Sequence, residues 1–348
     1  MSPVTATMLG VTKLAPGDGN VGLAERPVRA PGPGDVALDV RAVGICGTDL
    51  HIERGEYPSV PPVTMGHEVC AIVAETGEGV DPAWIARRVV VETFASTCGR
   101  CPYCRDGRLS ICPERHSIGT HVDGGMAPHL VLPARNLHDV PAGLSDPAAS
   151  LSEPLACVCN SLMDPPAVQA GDRVLVIGPG AIGLIAAQVA RVCGGRVTVR
   201  GTEGDRARLG LARELGFATS VAGADDLPTG GEAADVVIEC SGSELGAADG
   251  LRALRPAGRY VLMGLAGRDV TLPFDLVCFR ELSIRSGFAS NPRSWHTAMR
   301  LITDGPLDLE PLVTAVLPLA EWDRAFAASR AGDGVKYVLD PRSGLEAA

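Results

Sequence analysis

Cys98, Cys101, Cys104 and Cys112 fall within fifteen residues in the spacing C-x2-C-x2-C-x7-C, and nothing else in this 348-residue chain restricts its folding so narrowly. Thiolates are soft ligands suited to tetrahedral zinc, and four of them leave no open corner, which makes a closed, structural site. Gly99, Pro102, Gly107 and Pro113 interrupt the segment, so no helix or strand of its own is expected and the metal is expected to hold the lobe together. Two disulfides, the competing reading, need an oxidising compartment. The start of the chain, Met1 to Gly10, shows no basic stretch, apolar run or small-residue cleavage site of a secretory leader. Thiols can also pack as small apolar groups. Spaced cysteine clusters in intracellular chains nevertheless favour metal, and the expectation is a cytoplasmic zinc protein.

A second constellation is spread over the first 153 residues: Cys46 within Gly44-Ile-Cys-Gly-Thr-Asp49, His67-Glu68 after Gly66, and Glu153 within Ser152-Glu-Pro-Leu155. Singly these residues say little, because a lone cysteine is usually core and a lone histidine usually a packing or surface residue. Together, a thiolate, an imidazole and one or two carboxylates form the mixed ligand set of a catalytic zinc, which keeps one position open for water or substrate.

Between residues 174 and 203 the pattern changes. Val174-Leu-Val-Ile177 is an apolar strand, Gly178-Pro-Gly-Ala-Ile-Gly183 follows at once, Leu184 to Cys193 reads as a helix, and Arg196 to Thr202 as a second strand followed by Glu203. G-x-G-x-x-G with a strand before it, a helix after it and an acid past the second strand is a dinucleotide fingerprint. Gly178 serves the tight turn, Gly180 the close approach of a pyrophosphate, and Gly183 the packing of helix on sheet. The helix N-terminus supplies unpaired N–H groups to the phosphates.

Residues 1 to about 155 carry short strands such as Val36 to Val43 and Val89 to Thr93, the mark of a compact β-rich domain. From 156 to 287, strands Val174–Ile177, Val197–Thr202, Val236–Cys240 and Tyr260–Met263 alternate with helical stretches such as Arg206–Leu215 and Leu245–Leu254, as in a parallel, doubly wound sheet. The tail adds helices at Trp295–Thr303 and Leu319–Ala328 and a strand at Lys336–Leu339. A net charge of −10 argues against a nucleic-acid surface, and with it against reading the cysteine lobe as a zinc ribbon on DNA or RNA. Arg100, Arg105, Arg108 and Arg115 around the lobe are then a solvated face. No apolar run approaches the length of about 20 residues needed to span a membrane. Lysine is nearly absent, with only Lys13 and Lys336 among 31 Lys and Arg side chains.

The order Gly44-Ile-Cys-Gly-Thr-Asp-Leu-His51, Gly66-His-Glu68, four-cysteine lobe, Glu153-Pro-Leu155 and glycine fingerprint resembles the zinc-dependent medium-chain dehydrogenase/reductases, the alcohol and polyol dehydrogenase superfamily, over essentially the whole chain. A Glu at 153, where the alcohol dehydrogenases have Cys, points to the branch of sorbitol, butanediol, threonine and sugar dehydrogenases. The resemblance implies an α/β architecture with a GroES-like, β-rich catalytic domain (1–155 and 288–348) and a doubly wound Rossmann nucleotide-binding domain (156–287) inserted in it. It implies two zinc ions per chain: one held by Cys98, Cys101, Cys104 and Cys112, the other by Cys46, His67 and either Glu68 or Glu153, the second carboxylate then holding water at the open position. Thr48 and His51 match a proton relay that runs from a hydroxyl through the nicotinamide ribose to a solvent-facing imidazole, and Asp49 fixes the tautomer of His67. Gly178, Gly180, Ile182, Gly183, Glu203 and Arg208 are the expected cofactor contacts.

Glu203 favours NAD by repelling a 2′-phosphate, with NADP open because Arg200, Arg206 and Arg208 lie near. The activity implied is alcohol–ketone interconversion on a secondary alcohol, polyol, sugar or cyclitol-like molecule by a homodimer or homotetramer. An amino alcohol of the threonine type and a non-catalytic, crystallin-like member are the alternatives, the second opposed by the complete ligand set. Sorbitol dehydrogenases carry an Arg-Tyr pair that Ser286-Gly-Phe-Ala-Ser-Asn291 lacks, which counts against simple sorbitol oxidation.

Overall fold

The computed structural model describes residues 6–344 and divides into two compact units, one running to Glu153 and resuming at Val313, the other Pro154–Leu312. The main sheet of the first unit has seven strands. At its centre Asp35–Gly44 pairs antiparallel with Glu68–Thr76, with His129–Pro133 and with Lys336–Asp340. Val36, Leu38 and Val40 are fully buried, with exposed Asp39 and half-buried Arg41 between and after them, while Ala37, Ala42 and Val43 are buried as well, so both ends of the strand are covered on both faces. Met65, Ile118, Met126 and Leu132 complete that core, joined from the end of the chain by Phe326, Tyr337 and Leu339. The register places Gly44 opposite both Glu68 and Val338, so the residues just after Gly44 emerge beside two strands distant in sequence.

In the second unit six parallel strands lie in the order Ala218–Val221, Arg196–Gly201, Arg173–Ile177, Ala234–Glu239, Leu254–Leu262, Ser283–Ser286. Arg173–Ile177 comes first in the chain and lies inside the sheet, with later strands added on both sides, which is the doubly wound arrangement. Leu175, Ile177, Val237, Leu251 and Tyr260 pack on one side of it.

The sequence boundary at 287 differs from the end of this unit at Leu312, and the packing gives the reason. Asn291 starts the helix Pro292–Asp304 and donates to Asn160 Oδ1 at 2.7 Å, Trp295 is fully buried with its indole N–H on Ser290 Oγ, and Gln188 exchanges hydrogen bonds with the backbone of Asp308. Residues 288–312 are therefore bound to the nucleotide-type unit. Among the described residues no helix is long and apolar enough to cross a membrane.

Candidate active site and cofactor site

Cys46 ends the stretch that follows Gly44 and stands at the N-terminus of the short helix Gly47–Glu53. The Cys46 N–H donates to Asp49 Oδ2 at 2.9 Å, so Asp49, one turn on, caps the helix that carries it. His67 and Glu68 arrive at the head of the neighbouring strand. Cys46, His67 and Glu68 each offer a ligand atom within 4.8 Å of the others. Glu153, in the first turn of the helix Ser152–Leu162, lies outside that group but is 5% exposed and near enough for its charge to act on His67.

The cluster is built to hold positive charge. Burial disfavours an imidazolium at His67, yet Asp49, Cys46 and Glu153 outweigh it and hold the ring well above its ordinary value. Burial likewise raises Asp49, opposed by His67. Asp49 Oδ1 and His67 Nδ1 are both buried without hydrogen-bond partners and face each other at 3.8 Å. These unpartnered atoms beside a soft thiolate and a carboxylate suit a divalent metal, with Asp49 behind the imidazole.

One participant could not have been named from the sequence. Lys336 Nζ, 5% exposed, donates to both oxygens of Glu68 at 2.8 Å and to Ile45 O at 2.9 Å. A Cβ on Gly44 would lie 2.1 Å from Glu68 Oε2, so only glycine lets this carboxylate lie against the backbone. Lys336 thus ties Glu68 to the residue preceding Cys46 and neutralises one charge of the cluster. The one available signal was a lone lysine in a late apolar strand of a chain that otherwise avoids lysine.

Thr48 and His51 share the Gly47–Glu53 helix with Asp49. His51 Nδ1 lies 2.7 Å from Glu56 Oε2, which also accepts from Arg54 at 2.8 Å. A hydrogen bond from Nδ1–H to Glu56 leaves Nε2 as the accepting nitrogen, while Arg54 Nη2, 3.1 Å from Nδ1, competes as a donor to the same atom.

In the cysteine lobe the four sulfurs form the second metal-sized group, with Cys98 Sγ 3.6 Å from Cys112 Sγ and 3.9 Å from Cys104 Sγ. Backbone N–H groups point at them, Cys101 N to Cys98 Sγ at 3.3 Å and Cys104 N to Cys101 Sγ at 3.4 Å. The N–H groups of Arg100 and Cys101 pull Cys98 down to about 6, while, against the Cys104 N–H, the neighbouring sulfurs push Cys101 up to about 11, so the first thiolate of the group forms at Cys98. Contrary to expectation the lobe contains a helical turn, Pro102–Arg105, because proline at the first helical position lacks only an N–H that would be unpaired anyway. All eleven cysteines are free thiols, so the disulfide reading falls.

In the second unit, the Ala181–Val192 helix begins at Gly180, and its first N–H groups receive no side-chain cap. A Cβ on Gly183 would sit 1.9 Å from Gly178 O, whereas one on Gly180 would meet nothing within 4 Å. The first glycine approach is thus filled by protein, and the second is open to a ligand, as a pyrophosphate needs. Ile182 and Gly183 lie in the first turn of this helix. Glu203 is exposed past the Arg196–Gly201 strand and pairs with Arg206 Nε, while Arg208 lies 3.4 Å from Asp205 Oδ1. Arg200, one of the three arginines expected to compete for the ribose, is 4% exposed and committed to Ser220 Oγ and Asp225 O.

Residues 32–142 match the family model for the alcohol dehydrogenase GroES-like domain, and residues 181–304 that for zinc-binding dehydrogenase. The chain is 36% identical over 342 residues to sorbitol dehydrogenase of Halalkalibacterium halodurans, covering 96% of this chain and 99% of the relative. It is 32% identical to D-arabitol-phosphate dehydrogenase of Enterococcus avium over 97% of this chain and 98% of the relative. A zinc-binding dehydrogenase structure from Sinorhizobium meliloti bound to NADP superposes with a TM-score of 0.87 at 32% identity, over 97% of this chain and 100% of that one.

Proposed function

We propose a working mechanism from the premise that this chain belongs to the zinc-dependent medium-chain dehydrogenases, in the branch of the sorbitol and threonine dehydrogenases. It is an oxidoreductase that interconverts alcohol and ketone by moving a hydride between NAD(P) and a secondary alcohol, polyol or sugar-like substrate. The observation that carries the residue assignment is the Cys46–His67–Glu68 group with Asp49 behind the imidazole. Cys46, His67 and Glu68 would hold the catalytic zinc, with Lys336 anchoring Glu68 and Glu153 beside them for the zinc-bound water. A carboxylate offers about four lone-pair sites, so the lysine leaves each Glu68 oxygen room for a further partner. When bound, the metal supplies Lewis-acid polarisation of the substrate oxygen, and the nicotinamide carries the redox step.

The chain's own task is then to remove or return a proton. Thr48 and His51 would carry that proton relay on the Gly47–Glu53 helix, the hydroxyl at the substrate side and the imidazole, held by Glu56, at the solvent side. General acid–base groups contribute about 10²- to 10⁴-fold, and a shuttle that water can replace contributes less. His51→Gln is expected to slow alcohol oxidation by about tenfold or less and to change its pH dependence, with rescue by small buffer bases. An unchanged pH–rate profile, measured where a deuterium isotope effect shows that hydride transfer limits turnover, would remove His51 from the relay.

We assign Glu203 and Arg208 to the adenosine ribose, a reading supported by their position just past the Arg196–Gly201 strand. Glu203→Ala is expected to reduce the NAD over NADP preference by about tenfold, the scale of a 1.4 kcal/mol difference. Steady-state constants for both cofactors check it; a wild-type preference for NADP would transfer control to Arg206, the exposed arginine beside Glu203.

Assays of NAD+ reduction with polyols, polyol phosphates, cyclitols and 3-hydroxy amino acids test the substrate class. Turnover of the 3-hydroxy amino acids alone would move the reading to a threonine-type enzyme. We infer a homo-oligomer in the cytoplasm. Support comes from the free thiols, and from Ile284 on the terminal strand of the second unit with Phe274 and Phe279 nearby in sequence, which are 40%, 61% and 80% exposed. Light scattering that gives a monomer mass would refute the oligomer.

A further inference from the structure

Glu239 ends the Ala234–Glu239 strand with 0% exposure, and nothing in the mechanism above uses it. A buried carboxyl is costly unless its oxygens are hydrogen-bonded, so its partners show what it is for. Oε1 accepts from the Ser241 N–H at 2.8 Å and from the Ser241 hydroxyl. Oε2 is buried against the backbone of Gly242 and Gly264, whose N–H groups favour its charged form. The backbone oxygen of the same residue accepts from Met263 N at 2.8 Å and Gly264 N at 2.9 Å, at the end of the neighbouring strand. Burial also raises the acid above its ordinary value.

The surroundings are too tight for any side chain. A Cβ on Gly264 would lie 2.5 Å from Glu239 Oε2 and 2.3 Å from Gly242 N, and one on Gly178 would lie 2.7 Å from Ser241 N. The peptide after Cys240 is therefore pressed between the first glycine of the fingerprint and the Glu239 carboxyl, which in turn rests on the next loop at Gly264. Topology gives this position meaning. The chain leaves Arg173–Ile177 toward Arg196–Gly201 on one side and Ala234–Glu239 on the other, and a dinucleotide crosses the carboxyl ends of the strands at such a switch point. Glu203 marks the half that takes the adenosine, so the ends of Ala234–Glu239 and Leu254–Leu262 take the nicotinamide half.

We propose that Glu239 is a positioning residue for the nicotinamide half of the cofactor, its carboxyl setting the Cys240–Gly242 loop against both Gly178 and Gly264. This rests on the dinucleotide reading of the fingerprint. Its signature is an effect confined to one half of the ligand, which a merely structural role would not give.

Binding of NADH and of ADP-ribose, which lacks the nicotinamide, is followed by calorimetry alongside turnover. Glu239→Ala is expected to weaken NADH about tenfold and ADP-ribose less than about threefold, and to lower kcat about 10²-fold through misplacement of the reacting ring, with zinc content unchanged. Glu239→Gln keeps an acceptor for Ser241 and should return NADH affinity to within about threefold of wild type. Equal weakening of both ligands would make Glu239 an ordinary core residue and overturn the proposal. Should the alanine variant fail to fold, Ser241→Ala decides: an NADH affinity about threefold lower with ADP-ribose unchanged supports it, and an unchanged ratio overturns it. Wild type that binds neither ligand would remove the dinucleotide reading itself, an outcome separate from an unchanged ratio.

Discussion

Cys46→Ala is expected to give a folded protein that has lost about one zinc and at least about 10³-fold of its alcohol-oxidising activity. The magnitude follows from Lewis-acid stabilisation of several kcal/mol at about 1.4 kcal/mol per tenfold. The fold should survive because the helix Gly47–Glu53 is capped through the Cys46 backbone N–H and Asp49, which alanine leaves in place. Elemental analysis, circular dichroism and steady-state rates check the three parts. Unchanged zinc with full activity would dissolve the catalytic assignment. The same measurement separates the carboxylates: Glu68→Gln should lose metal, whereas Glu153→Gln should keep it and lose rate, and the reverse result exchanges their roles.

Cys101→Ala should act on stability. The lobe has one helical turn and a small two-stranded ladder, Phe94–Ser96 with His116–Ser117, and its four sulfurs form a metal-sized group that ties Cys98–Cys104 to Cys112. Structural zinc sites contribute about 10–16 kcal/mol to the folding of small zinc domains. Part of that will be lost locally, and a fall in Tm of about 10 °C or more is expected, at about 2–4 °C per kcal/mol for domains of this size. Trypsin should then cut at Arg100, Arg105 and Arg108, which the intact lobe should protect. A variant with unchanged Tm, zinc and proteolysis would mean that the lobe folds without metal.

The parts legible in the sequence are those whose chemistry is local. Four closely spaced cysteines, Gly178 to Gly183 with its flanking strand and helix, and Cys46 with Thr48, Asp49 and His51 on one short helix all carry their meaning in neighbours along the chain. Lys336 does not, since 268 residues separate it from Glu68 and only the pairing of Asp35–Gly44 with both partner strands brings them together. Glu239 reads as the last residue of an apolar strand, and its burial depends on glycines in two other segments. The strands Ala218–Val221 and Ser283–Ser286 are not legible in the sequence, because they are short, half-polar edges with almost no apolar pattern. The helix Pro292–Asp304 was anticipated, but its allegiance to the second unit is set by Asn160, Gln188 and Ser290, contacts no periodicity encodes.

Lys13 is 1% exposed, its Nζ held by the carbonyls of Gly17, Gly19 and Glu53, and Lys336 is closed over Glu68. With no other lysine in the chain, the folded surface presents no side-chain amine at all. Succinimidyl esters and aldehyde crosslinkers, which ordinarily decorate a protein of this size many times over, will find these two amines only when the first unit opens. Acylation of Lys336, read by mass spectrometry, thus becomes a clock for opening of the Lys336–Asp340 strand away from Glu68, and comparing its rate with and without added zinc tests whether the ion slows that opening.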